Sequence, residues 1–293
     1  MFTASSFSIL NYPTDFFELI ENGSVKIHIG DITHLSSRTI HLSDGTSLDT
    51  DALLCATGWK HVPPLKFLPE GIDKELGIPH TPASPNEPTF TEDLVAKADE
   101  EILSTFPRLK DQPVQNKNLV PLLDSKGMST TDAINPSTPL TPYTLYRFIV
   151  PPSPRFLQHR DIAFAGVMMN FSVPTIMHAQ SLWITAFFDG NLPSSVIPTL
   201  AQNPDTEELT KELERVRYET VLYSRFGKWR YPCGHGSQFP DFVFDAMPYV
   251  DVLLGDLGLN KYRKGAWLAE ATEPYGPEDY KDLVAEYEKR SIL

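Results

Sequence analysis

The sequence has few cysteines, little positive charge and no long apolar run, and each shortage argues against a class of protein. Its 2 cysteines, Cys55 and Cys233, are too few for a disulfide framework and predict reduced thiols in a cytoplasmic protein. The net charge of -13 argues against a nucleic-acid partner, because neutralising phosphates requires clustered lysine and arginine. No apolar run reaches the roughly 18 residues of a membrane span, and the first residues lack the basic start of a signal peptide.

The sequence also lacks the short motifs that identify many enzymes by themselves. It contains no G-x-S-x-G, no H-E-x-x-H and no G-x-x-x-x-G-K-[ST] segment. Cys233 and His235 have the spacing of half a metal site, but no second pair lies at ligand spacing, and we expect no metal. His178 has no identifiable partner, and we expect its side chain to pack. The catalytic residues therefore stay unassigned.

What is present is a globular composition, with 41% hydrophobic and 22% charged residues, in a chain long enough for one large domain or two ordinary ones. Residues 13–23 predict a short, capped helix. Two β-like runs follow, Val25–Ile29 and Thr39–Leu42, and the Asp44-Gly45 pair after the second predicts a tight hairpin turn. We therefore expect residues 24–58 to form a small β-meander that leads into one buried strand.

Two short apolar runs end on glycine. The first is Ala52–Cys55, which continues into Ala56-Thr57-Gly58, and the second is Asp161–Gly166. A brief apolar run closed by glycine is typical of a buried parallel strand, and nucleotides often bind at the carboxyl end of such strands. Both glycines could equally make tight turns and nothing more. The spacing alone leaves these two interpretations open.

Most of the remaining patterned segments predict helices. Thr91–Phe106 has one apolar face, Pro174 opens a helix that closes at Gly190, and Asp205–Tyr223 begins with a capping box. Leu145–Val150 predicts a strand or a single helical turn. The C-terminal region is rich in aromatic side chains, which are more typical of a core than of a cofactor site.

Four segments carry a resemblance to a known family: Leu53–Trp59 (L-L-C-A-T-G-W), Leu145–Arg147, Ile162–Gly166 and Pro174–Pro193. They resemble the C-terminal half of a flavin-containing (class B type) monooxygenase, an FAD- and NAD(P)-binding oxidoreductase, in its fungal form. The first segment resembles the A-T-G-[YFW] linker that returns from the NADPH domain to the FAD domain. Leu145–Arg147 and Ile162–Gly166 resemble the segment that precedes the last strand of the flavin domain. Pro174–Pro193 resembles the helix that follows that strand and packs near the isoalloxazine.

The resemblance implies an α/β chain with a partial two-dinucleotide-binding (Rossmann-like) flavoprotein fold, a β-meander and a mostly α-helical, loop-rich C-terminal region. Residues 1–58 would be the end of the NADPH-type domain with the meander and the return strand. Residues 59–200 would be the remainder of the FAD-type domain with a loop insertion, and residues 201–293 a helical, aromatic-rich extension. An incomplete parallel sheet would expose a strand edge, which predicts association through that edge.

The resemblance also implies that FAD and NADPH are the cofactors of a monooxygenase that oxygenates a small organic substrate, in fungal secondary metabolism. An acidic, aromatic-rich composition favours an apolar or polyketide-like substrate. Matching the segments places the following residues at the cofactors: Ala56, Thr57, Gly58, Gly166, Asn170, Ser172, Pro174 and Gln180. The first three would lie near phosphates or ribose, and the others near the flavin ring.

The chain departs from the family pattern in its glycine-rich loops. Neither G-x-G-x-x-G nor F-x-G-x-x-x-H occurs in these residues, and in the family such loops admit the cofactor phosphates. Two alternatives to the enzyme therefore stay open. The chain could be a truncated, catalytically silent remnant or accessory protein that lacks the FAD-binding N-terminal half. It could also be a binding module that completes the flavin site of another subunit.

Overall fold

The computed structural model describes residues 15–55, 65–82, 90–111, 141–168, 170, 172–198, 206–231, 242 and 244–291. The chain divides into two compact units. The first comprises residues 1–64 and 116–136, and the second comprises residues 65–115 and 137–293.

The described part of the first unit is a short helix followed by a small sheet. Its elements are α1 (Phe16–Glu21), β1 (Ile32–Ser36), β2 (Thr39–Leu42) and β3 (Ser47–Asp49). Asp15 begins the helix, because its carboxylate accepts a hydrogen bond from the Phe17 amide at 2.9 Å. The strands pair antiparallel in the order β1-β2-β3. The predicted capped helix is therefore confirmed.

The turn between β2 and β3 forms at the predicted Asp44-Gly45 pair. Gly45 has a φ of 84°, a left-handed conformation that glycine adopts without strain. The Asp44 carboxylate accepts a hydrogen bond from the Thr46 amide at 2.8 Å, and the Leu42 amide donates to the Thr46 carbonyl at 2.8 Å. The predicted hairpin is confirmed, and its cause is local turn chemistry.

Two predicted strands of the first unit are not formed. Val25–Ile29 is extended but belongs to no sheet, and the strand that pairs with β2 is Ile32–Ser36 instead. Ala52–Cys55 is also irregular, and its side chains are exposed, with Leu54 at 92%. A buried parallel strand requires neighbours at its edges and packing on both faces. In residues 15–55 the sheet ends with β3 and offers neither.

The second unit is helical in its described part. Its helices are α2 (Asp73–Leu76), α3 (Glu92–Thr105), α4 (Pro154–His159), α5 (Val173–Phe188), α6 (Thr206–Arg230), α7 (Ala246–Asp256), α8 (Trp267–Thr272) and α9 (Leu283–Ser291). Short 3-10 turns occur at Pro107–Lys110 and Pro277–Tyr280. The helices predicted at Thr91–Phe106 and Pro174–Gly190 are confirmed as α3 and α5. The third predicted helix continues beyond Tyr223 as α6.

The core of this unit lies where α5 packs against α7. Trp183 and Phe187 of α5 are fully buried, as are Val250, Leu253 and Leu254 of α7. Fully burying side chains of this size contributes roughly 1.5–3 kcal/mol each. Of the aromatic side chains in the C-terminal region, Tyr231, Phe242, Tyr249 and Tyr280 are buried as predicted, whereas Phe244, Tyr262 and Trp267 are exposed.

A second contact joins α3 to α6. Asp99 of α3 accepts hydrogen bonds from Arg225 Nε at 2.6 Å and from Trp229 Nε1 at 2.8 Å, both on α6. Burial by itself would raise the pKa of Asp99, but the hydrogen bonds and the charge of Arg225 outweigh it and hold this pKa below its ordinary value. The carboxylate is thus stabilised in its charged form.

Gly77 ends α2 in a left-handed conformation with a φ of 70°. A Cβ atom at this position would lie 2.5 Å from the Thr144 carbonyl oxygen. Both the conformation and the close backbone contact require glycine here.

The segments that would complete a parallel sheet take other forms. Leu145–Val150 is a tight turn, in which Tyr146 and Val150 exchange backbone hydrogen bonds at 2.8 and 3.1 Å. Asp161–Gly166 is extended, joined to the turn by the Phe164 amide and the Ile149 carbonyl at 2.8 Å. Its apolar side chains Ile162 and Phe164 pack on a small cluster around Leu76 and Tyr143 instead. The strand predicted at Asp161–Gly166 is therefore wrong.

The described architecture is thus a mixture of helices and one small antiparallel sheet. It is compatible with part of a flavoprotein, whereas the Rossmann-like arrangement and the assignment of residues to NADPH and FAD domains stay predictions.

Candidate functional site

The predicted flavin-facing residues lie in the loop that leads into α5 or in α5 itself, and Gly166 is the first of them. Its φ of 78° lies in the left-handed region, and its amide donates a hydrogen bond to Gln180 Oε1 at 3.0 Å. A Cβ atom at Gly166 would meet Met177 Sδ at 3.6 Å, an ordinary contact. Glycine is therefore favoured here by the backbone conformation and not by a lack of space.

Asn170 carries an unused hydrogen-bond acceptor in the same loop. Its Nδ2 donates to the Met168 carbonyl at 3.2 Å, whereas its Oδ1 is buried and has no hydrogen-bond partner among the described residues. A buried polar atom without a partner is costly, and such atoms often mark a functional site. This oxygen can accept a hydrogen bond from an N–H group of a ligand.

Helix α5 begins directly after this loop. Ser172 is its N-cap residue and Pro174 lies in its first turn, which carries no acidic side chain. The first N–H groups of a helix have no carbonyl partner within it, and they give the helix N-terminus a partial positive charge. Because Pro174 has no N–H group, the beginning of α5 offers the amides of Val173 and Thr175 as hydrogen-bond donors, three and five positions after Asn170 in the chain.

Gln180 connects the loop to the interior of the second unit through hydrogen bonds. It is fully buried; its Oε1 accepts from the Gly166 amide, and its Nε2 donates to the Tyr249 hydroxyl at 2.8 Å. Tyr249 donates in turn to the Arg147 carbonyl at 2.7 Å. This chain of hydrogen bonds ties the loop to α7 and to the Leu145–Val150 turn. The predicted direct contact of Gln180 with a cofactor stays a prediction.

A buried charge cluster supports that chain of hydrogen bonds. Arg147 donates to both oxygens of Asp256, from Nε at 2.8 Å and from Nη2 at 3.2 Å, and its Nη1 lies 2.9 Å from Glu219 Oε2. Trp183 Nε1 donates to Asp256 Oδ2 at 3.0 Å. Arg147 also has a positive φ of 54°. The turn, α5, α6 and α7 thus meet at one guanidinium group.

Burial and neighbouring charges set the protonation states of Tyr249 and Arg147. Burial raises the pKa of the Tyr249 hydroxyl far above its usual range, so Tyr249 stays a neutral donor. Burial alone would lower the pKa of Arg147, but the charges of its neighbours, Asp256 among them, outweigh this and raise it. Tyr249 and Arg147 therefore orient the structure and do not exchange protons near neutral pH.

Sequence patterns alone did not identify Asp256, Glu219 and Tyr249 as part of this support. The available signal was Arg147, a cation inside the otherwise apolar run Leu145–Val150. A buried cation requires a counter-charge, but the sequence does not say which carboxylate supplies it.

The remaining predicted positions are only partly described. Ala56, Thr57 and Gly58 lie outside the described residues, as do Cys233 and His235. Within residues 15–55 and the described part of the second unit, no group of three or more His, Cys, Asp or Glu side chains is arranged to hold a metal ion. No helix in the described part of the chain is long and apolar enough to cross a membrane.

Comparison with known proteins connects the chain to one class of enzyme. It is 31% identical over 289 residues to an FAD-dependent monooxygenase, resA, of Aspergillus sclerotiorum, covering 97% of this chain and 43% of the relative. An FAD-dependent monooxygenase of Pyrenophora dematioidea is 31% identical over 90% of this chain and 42% of its own length. FAD-dependent monooxygenase DEP4 of Alternaria brassicicola is 27% identical over 93% of this chain and 41% of its own length.

The chain is thus similar over almost its whole length to fungal FAD-dependent monooxygenases, and it spans about two fifths of their length. No model of a known protein family matches it, and no solved structure shows a significant match. The names of these relatives support the predicted FAD-dependent monooxygenase class. They do not mention NADPH or the narrower class B type.

Proposed function

We propose that the protein contributes the flavin-facing part of an FAD-dependent monooxygenase that oxygenates a small organic molecule. The observation that carries this proposal is the buried Asn170 Oδ1, which has no hydrogen-bond partner among the described residues and lies in the loop that leads into α5. It occurs in a chain whose matched relatives are named FAD-dependent monooxygenases.

The residues present fit the edge of a flavin ring, which alternates carbonyl oxygens with an N–H group. The first-turn N–H groups of α5 suit the carbonyl oxygens, and Asn170 Oδ1 suits the N–H group. Bound FAD supplies the redox chemistry that reduces and activates oxygen, while the protein supplies binding, orientation and exclusion of water. Gln180 and Gly166 hold the loop in place for that purpose.

Further parts of the proposal rest on the resemblance. We assign the contacts with phosphate or ribose to Ala56, Thr57 and Gly58. We also propose that NADPH is the reductant. Residues 1–58 correspond to the end of an NADPH-type domain, 59–200 to the remainder of an FAD-type domain and 201–293 to a helical extension. The substrate is apolar or polyketide-like, as in secondary metabolism.

A second candidate function is a catalytically silent or accessory protein. It is favoured by the absence of a G-x-G-x-x-G loop from these 293 residues. The loop before α5 offers partners for a flavin ring edge, but a pyrophosphate also requires a cradle of backbone amides. The two candidates differ in one property, the retention of FAD by this polypeptide.

Binding of FAD to the purified chain tests the proposal. We expect FAD to co-elute with the protein in gel filtration and its visible absorbance to bleach when NADPH is added. Asn170→Leu should weaken FAD binding about tenfold, the effect of losing one hydrogen bond of ~1.4 kcal/mol. The matched control is Asn191→Leu, because Asn191 is exposed beyond the other end of α5. If the purified chain retains no FAD, the monooxygenase proposal is wrong for this polypeptide, and the result supports the silent or accessory protein.

A further inference from the structure

The second unit contains an apolar cavity that the candidate flavin site does not use. The cavity has a volume of about 590 Å³ and lies between α3 with the 3-10 turn after it, α6 and α7. Cavities of roughly 300–1,000 Å³ accommodate small organic ligands. The size is therefore that of a binding site and not of a packing defect.

Aromatic side chains line one part of the cavity. They are Phe106, Tyr223, Phe226, Phe242 and Tyr249, and the rest of the lining is aliphatic or polar. The ring centroids of Phe106 and Phe226 are 5.7 Å apart, those of Phe226 and Phe242 5.9 Å, and those of Phe242 and Tyr249 6.2 Å. The planes of these rings are inclined to one another by 59°, 45° and 55°, so the rings form an uneven apolar wall against which an aromatic ligand can pack edge to face.

The charged side chains at the cavity already have partners within the protein. Glu101 accepts a hydrogen bond from the Tyr218 hydroxyl at 2.5 Å. Arg230 Nε lies 3.1 Å from Asp245 Oδ2. A phosphate or carboxylate on a ligand would meet the carboxylates of Glu101 and Asp245, which outnumber Arg230, the one cation that the described residues contribute to the lining, and its desolvation would then be poorly compensated. The lining therefore disfavours an anionic ligand.

We propose that this cavity binds an uncharged, mainly aromatic small molecule and does not bind a nucleotide. The lining supplies aromatic and apolar contacts, and the occupant is selected by shape and by the absence of negative charge. The proposal does not depend on FAD binding, so it can fail or succeed independently of the proposed function. Tyr249 lines the cavity and also accepts the hydrogen bond of Gln180, so the cavity shares one side chain with the hydrogen bonds that support the candidate site.

Titration of the full chain with Nile red, an uncharged aromatic dye, tests the proposal. With the dye excited directly, we expect saturable fluorescence enhancement with one site per chain. Thr105→Trp should weaken this binding at least about tenfold, because Thr105 is an exposed residue at the cavity and the larger ring would enter it. Ser104→Trp is the matched control, since Ser104 is exposed on the same helix and does not line the cavity.

A second pair of variants tests the proposal independently in case Thr105→Trp does not fold. Val252→Trp fills the cavity from α7 and should weaken binding, whereas Val284→Trp on α9 replaces an exposed valine outside it and should not. Circular dichroism melts verify that each variant is folded. Excess FAD or adenosine diphosphate should leave the dye bound. Absence of saturable binding, equal weakening by the cavity and control variants, or displacement of the dye by either nucleotide would overturn the proposal.

Discussion

Asp256→Asn is the most direct test of the buried charge cluster behind α5. Asp256 is 7% exposed and accepts three hydrogen bonds, two from Arg147 and one from Trp183. Asparagine has nearly the same shape, but it carries no charge and replaces one acceptor oxygen with a donor. The variant therefore removes the principal counter-charge of Arg147 with little change in volume.

The expected cost follows from the burial of both partners. Arg147 and Asp256 have side-chain exposures of 9% and 8%, and Glu219, at 24%, is the remaining carboxylate beside the guanidinium. Removing one partner of a buried ion pair costs about 3–5 kcal/mol, because the other charge stays buried without compensation. For a folded unit of about 150–250 residues this corresponds to a fall in the melting temperature of roughly 6–20 °C.

Thermal unfolding followed by circular dichroism measures this effect, since the helices of the second unit dominate the signal. The matched control is Glu75→Gln, which breaks a partly exposed pair with Arg155 at 3.7 Å and should cost at most about 1 kcal/mol. If Asp256→Asn and Glu75→Gln lower the melting temperature equally, the Arg147 cluster does not stabilise the unit in the way described.

Three further predictions concern other parts of the molecule. Gln180→Leu removes the partner of the Gly166 amide, and we expect faster hydrogen exchange at that amide and a loss of about 1–3 kcal/mol of stability. Asp99→Asn should cost ~1–3 kcal/mol at neutral pH. The pKa of Asp99 is lowered in the folded protein, so its charge stabilises the fold above the unfolded pKa. This stabilisation is lost as the pH falls through the folded pKa. Urea unfolding should therefore show a smaller difference in stability between the wild type and Asp99→Asn in acid. Gly77→Ala should destabilise the protein by about 1–3 kcal/mol more than Gly71→Ala, because both glycines have positive φ but only Gly77 faces a backbone oxygen at contact distance.

Each of these expectations has a contradicting result. Unchanged exchange at Gly166 would show that Gln180 does not hold the loop. A pH-independent difference between the wild type and Asp99→Asn would show that its carboxylate charge is not what links α3 to α6. Equal urea midpoints for the Gly77 and Gly71 variants would show that the backbone relaxes around the added methyl group.

Features of this chain that depend on neighbouring residues were predictable from the sequence. The α3 and α5 helices follow from apolar periodicity, and Pro174 lies in the first turn of α5 as predicted. The hairpin at Asp44-Gly45 follows from a side chain that bonds a nearby amide and a glycine with positive φ. In each case the interactions that decide the structure span a few residues, so the local pattern contains the information.

Features that depend on distant partners required the tertiary structure. Ala52–Cys55 and Asp161–Gly166 have the composition of buried strands, yet a strand exists only if another strand pairs with its backbone. The partners of Arg147 are 72 and 109 positions away in the chain, at Glu219 and Asp256. The sequence by itself therefore determined the helices α1, α3, α5 and α6, the hairpin and the flavoenzyme resemblance. Packing across long separations decided which apolar segments became core and which carboxylates neutralise Arg147. It also decided that the Asn170 oxygen has no hydrogen-bond partner among the described residues.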